Sequence, residues 1–60
     1  MVASEKEIKD VVDVMLSYFS DKTILLNMME EVWVDVGAKT YNESLRETIL
    51  GLKMEIENRD

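Results

Sequence analysis

Apolar residues recur along this chain at helical rather than strand spacing. Ile8, Val11, Val12, Met15 and Phe19 follow one another at steps of three or four, with Leu16 and Tyr18 at the edges. Lys6, Lys9, Asp10, Asp13 and Ser17 take the opposite face, so a helix is predicted over about 5–20. Ser4-Glu5-Lys6-Glu7 opens it as a capping box: the serine hydroxyl faces the Glu7 amide and the Glu7 carboxylate reaches back. Val11, Val12 and Val14 are β-branched and lower its intrinsic propensity, so packing has to hold it.

A polar break follows at Ser20-Asp21-Lys22-Thr23, where Asp21 or Thr23 can cap a second helix predicted over about 24–36. Leu25, Met29, Val32 and Val36 form its main stripe; Ile24 and Met28 widen it on one side, Leu26 and Trp33 on the other. Asn27, Glu30, Glu31 and Asp35 share the rest. Apolar surface therefore covers about half the circumference, more than a helix resting on one neighbour needs. Gly37 is placed to end the helix as a left-handed stop. Val32-Trp33-Val34-Asp35-Val36 is also rich in β-branched and aromatic residues, but a strand there would have no partner within the chain.

Thr40-Tyr41-Asn42-Glu43 reads as a second capping box, and a third helix is predicted over about 41–57. Its main stripe is Tyr41, Leu45, Ile49, Leu52 and Ile56. Lys53 with Glu57 and Glu55 with Arg59 are spaced as ion pairs along one face, and Asp60 with the residues just before it is expected to fray. Leu50 and Met54 lie one turn apart on the other side, among Glu43, Arg46, Glu47 and Glu57, as a paired apolar patch. Gly51, in mid-helix, costs about 1 kcal/mol against alanine unless another helix approaches closely.

Length sharpens this picture. Sixty residues make a single domain, near the lower limit for a self-sufficient core. There is no cysteine and no histidine, hence no disulfide and no ordinary zinc site. Association between chains is the remaining staple. The expected fold is all-α: three short amphipathic helices in a small bundle, completed by homodimerisation. The net charge of −6 opposes nucleic acid and anionic membranes as partners, and no apolar run approaches the ~20 residues of a spanning helix. The N-terminal segment lacks a signal-peptide core, so a soluble, cytoplasmic protein is expected.

The usual parts of an active site are missing. No histidine can shuttle protons near neutral pH and no cysteine can act as a nucleophile, so no enzyme activity and no cofactor are expected. Glu30, Glu31 and Asp35, or Asp10 and Asp13, could attract a hard cation, but no calcium-loop pattern is present and a solvated acidic face accounts for them; no metal is expected. An acidic helical protein can also imitate nucleic acid, yet Lys and Arg are interspersed among the carboxylates. Lys39 to Ile49 resembles the segment that opens the last helix of small ribbon-helix-helix antitoxins and repressors, approximately Thr-Tyr-x-Glu-hydrophobic-Arg. That resemblance, over about eleven residues, implies a DNA-binding dimer with a basic N-terminal strand; Ser4-Glu5-Lys6-Glu7 stands where the strand would be. The function expected from the residues themselves is protein–protein interaction. The chain would be a small regulator, adaptor or inhibitor that occupies a partner's surface, a type that suits a phage- or plasmid-encoded protein. Trp33 and Leu26, at the flank of the second helix, and Leu50 and Met54, on the third, are the expected interface residues.

Overall fold

A computed structural model describes residues 3–59, and these contain helices and turns but no strand. Helix α1 spans Glu5–Tyr18, α2 spans Lys22–Val32 and runs directly into a π-helical turn at Trp33–Gly37, and α3 spans Glu43–Asn58. The capping box at Ser4 is formed as expected: the Glu7 amide donates to Ser4 Oγ at 3.2 Å and the Ser4 amide donates to Glu7 Oε1 at 3.0 Å.

The breaks fall slightly earlier and later than the pattern suggests. Helix α1 stops at Tyr18 rather than Ser20, because Phe19 turns extended while its amide still donates to the Met15 carbonyl. Asp21 is the cap of α2, accepting from the Thr23 amide at 2.9 Å, so Lys22 and Thr23 belong to the first turn. Helix α3 starts two residues later than predicted. Asn42, a stronger cap than threonine, accepts from the Leu45 amide at 3.1 Å, and Thr40 Oγ1 accepts from the Asn42 amide at 3.0 Å. Tyr41 is thereby left outside the helix and almost wholly exposed instead of lining the core.

Helix α3 is the axis of the bundle; α1, α2 and the π turn all pack on it, whereas the backbones of α1 and α2 stay apart. Ile8 lies at Gly51, and Arg59 reaches Asp13 and the Lys9 carbonyl, so α1 runs parallel to α3. Lys22 donates to the carbonyls of Glu57 and Arg59 while Glu30 meets Lys53, so α2 runs antiparallel to α3. Val12, Leu25, Met29, Ile49 and Ile56 are buried where the three helices converge, with Met15, Leu16, Leu26, Trp33 and Leu52 packed around them.

The π turn sets which residues at the end of the second helix face inward. Leu25, Met29, Trp33 and Gly37 are buried or half-buried at steps of four, with Lys22 and Leu26 half-buried beside them. In an α-helix each such step overshoots a full circle by about 40°. The wider turn, closed by the Ala38 amide on the Trp33 carbonyl at 2.7 Å, absorbs that overshoot between Trp33 and Gly37 and keeps Gly37 against the indole. Val32 and Val36, placed on the main stripe by α-helical spacing, turn outward. Gly37 has no left-handed backbone. Its missing side chain makes room for Trp33: a Cβ at position 37 would fall on the indole, within 2.9 Å of Cζ3. Gly51 is explained as the close approach of two helices, since a Cβ there would stand 2.6 Å from Ile8 Cδ1.

Candidate interaction surface

Two ridges of exposed side chains flank α1 and α2 on the sides turned away from α3. On α1, Lys9 and Asp13 mark the flank that touches α3, through Arg59. Val11, Val14 and Tyr18 stand on the opposite flank, on one line of the helix surface at steps of three and four, and all are exposed. On α2, Lys22 and Glu30 mark the α3 side. Ile24 and Met28 project from the other flank, with Val32 beside them, each more than one-third exposed. The ridges are joined at one end by the Phe19–Asp21 turn, where Phe19 adds a further half-exposed ring.

The core is correspondingly shallow. More large apolar side chains are exposed than buried among the described residues. The accessible surface is 4419 Å², against about 4,000 Å² for a folded monomer of this mass. Exposed single apolar residues are commonplace; aligned ones on adjoining helices form a patch.

Of the four residues singled out in the sequence, the structure separates two pairs. Leu26 and Trp33 are half-buried against the core, and the indole is seated on Gly37. Leu50 and Met54 lie on the outer side of α3, 36% and 60% exposed, beside Glu43, Glu47 and Glu57. The α1–α2 ridges are a larger apolar surface than the Leu50–Met54 pair, and stripe counting assigned most of them to the core. The excess apolar width of the second helix was the available signal, and Val14, off the stripe of the first, was the residue left without a role.

Charges divide the surface unevenly. Lys6 pairs with Asp10 at 3.0 Å and Lys9 with Glu5 at 3.4 Å, both along α1. Lys53 turns to Glu30 at 2.6 Å rather than to Glu57 along its own helix, because the cross-helix carboxylate holds it against α2. Arg59 forms the expected bond to Glu55 at 2.6 Å and adds Asp13 at 2.6 Å, so the end of α3 is tied down through Arg59 where fraying was expected; Asp60 lies outside the described residues. Glu30 holds the Lys53 ammonium pKa above its ordinary value, and Glu55 with Asp13 does the same for Arg59. The Ser4 amide, then its hydroxyl, hold the Glu7 carboxyl below the usual carboxylate range. Glu31 and Asp35 have no cationic partner among the described residues.

The described residues form no pocket, bring no three acidic side chains into reach of one metal ion, and include no helix long and apolar enough to cross a membrane. In comparisons with known proteins, no family model, no curated protein and no solved structure matches the chain. What the surface offers chemically is contact: a ridged apolar face with carboxylates at its border.

Proposed function

We propose that this chain is a protein-interaction module that acts as a regulator, adaptor or inhibitor by laying its α1–α2 face on a partner. The observation that carries the proposal is the alignment of Val11, Val14 and Tyr18 with Ile24 and Met28 on flanks that α3 does not cover. Apolar side chains arranged in this way gain about 25 cal/mol per Å² when a partner removes them from water. A second copy of the chain is one such partner, and it would complete the small core as a homodimer.

Site-specific photo-crosslinking tests the proposal with an internal control. A benzophenone amino acid at position 18 stands on the face, whereas one at position 41 is even more exposed but lies outside it. The expected result is a discrete protein adduct from position 18 and none from position 41. An adduct of twice the chain mass would identify a homodimer. Equal labelling at both positions, or none at position 18, would remove the α1–α2 face from consideration.

A further inference from the structure

Resting on that interaction face, we propose that its occupant is an amphipathic helix with an apolar stripe and a cluster of Lys or Arg at one end. Two aligned apolar ridges make a face on which an amphipathic helix can lay its own side-chain ridge. The polarity at the border of that face then specifies the charge of the occupant.

Both ridges end in acid at the same end of the bundle. The line Val11, Val14, Tyr18 continues one turn back to Glu7, and the line Ile24, Met28 continues forward to Glu31 and Asp35. Since α1 and α2 are antiparallel, Glu7 and the pair Glu31 and Asp35 both lie away from the Phe19–Asp21 turn. Most lysine and arginine side chains are engaged elsewhere: Lys6 and Lys9 on α1, Lys22 at the end of α3, Arg46 on the Thr40 carbonyl, Lys53 on Glu30, Arg59 on Asp13 and Glu55; Lys39, four residues after Asp35, forms no ion pair with Glu31 or Asp35.

The backbone adds to this field. Glu31 and Asp35 stand at the negative end of the second helix, whose last turns contain no basic residue. Such carboxylates are disfavoured within the chain, and a cation from outside relieves them. A second copy is the poorer occupant. Pairing two faces with like ends together brings carboxylates onto carboxylates; pairing them with opposite ends together strips water from carboxylates against apolar residues.

Fluorescence anisotropy with synthetic peptides of roughly five helical turns provides the test. The probe has a leucine stripe on an alanine background and lysines at one end; its counterparts carry glutamates or glutamines in place of the lysines. The basic peptide is expected to bind at least about tenfold more tightly than either counterpart, and to weaken as salt rises. Glu31→Gln with Asp35→Asn should abolish that preference while leaving the glutamine peptide unaffected. Val14→Ser with Met28→Ser should weaken every peptide, with helicity checked by circular dichroism. Equal binding of all three peptides through the same face would overturn the charge assignment yet leave the interaction module standing. Loss of the position-18 crosslink would instead remove the module itself. Self-association that Met28→Ser abolishes would overturn the proposed occupant in favour of a second copy.

Discussion

A Cβ at position 37 would occupy the volume taken by the Trp33 ring, and a rigid bicyclic ring fixed over a core has no cheap way to move aside. A Cβ at position 51 meets only the terminal methyl of Ile8, the far end of a flexible chain. The two glycines are therefore expected to respond differently to the same substitution. Gly37→Ala should destabilise by about 1–3 kcal/mol, as overpacking does. Gly51→Ala should change stability by less than about 1 kcal/mol, because the helix propensity gained offsets the shift of Ile8. Thermal melts followed by circular dichroism would measure both, and Gly37→Ala should also shift the emission of the only tryptophan. A glycine that ends a helical pattern invites a backbone explanation. Here the cause is a side chain four residues upstream, which spacing alone does not reveal.

At the scale of the element, side chains set where each helix begins. Ser4, Asp21 and Asn42 each accept an amide of the first turn that would otherwise lack a partner. Ser4→Ala should cost about 1 kcal/mol of stability near neutral pH. The carboxylate of Glu7 gives that cap an acid-sensitive component. Its pKa is lower in the folded chain than in the unfolded one, so the stabilisation is present above the unfolded pKa and is lost as pH falls through the folded one. Wild type should consequently lose more melting temperature than Glu7→Gln between pH 7 and about pH 3, and parallel acid limbs for the two proteins would count against the Glu7 bond.

Helix number, order and approximate limits were legible because caps and periodicity are local properties. The first capping box formed as written. The second did not, since Thr40 and Asn42 compete for the same role and the stronger acceptor moved the start of α3, putting Tyr41 into solvent. The inward face of the second helix was harder to read. Α-helical spacing puts Val32 and Val36 inside; both are exposed, and the wide turn at Trp33–Gly37 is what re-aims Val36. That turn packs against α3, a tertiary contact with no local signature. The cross-helix bonds of Lys53 and Arg59 were equally invisible, because their partners lie in distant segments of the chain.

Across the whole molecule, α3 supplies the contacts that make the other two helices a unit, and its end is held by Lys22 from α2 and by Arg59 reaching α1. The core therefore contains long-range pairings for every helix but few between α1 and α2 themselves. A further consequence concerns synthesis. The ribosome releases α1 and α2 before α3 exists, and in that interval the hairpin has both an uncovered inner face and its outer ridges in water. A fragment ending at Asn42 should show little helix and bind a hydrophobic dye, and adding a peptide of 43–60 in trans should restore helicity and suppress the dye signal. Cooperative melting of the fragment alone would refute this. The third helix is thus the one that closes the fold, so a nascent chain stalled short of it presents grease on two sides to whatever surrounds it in the cell.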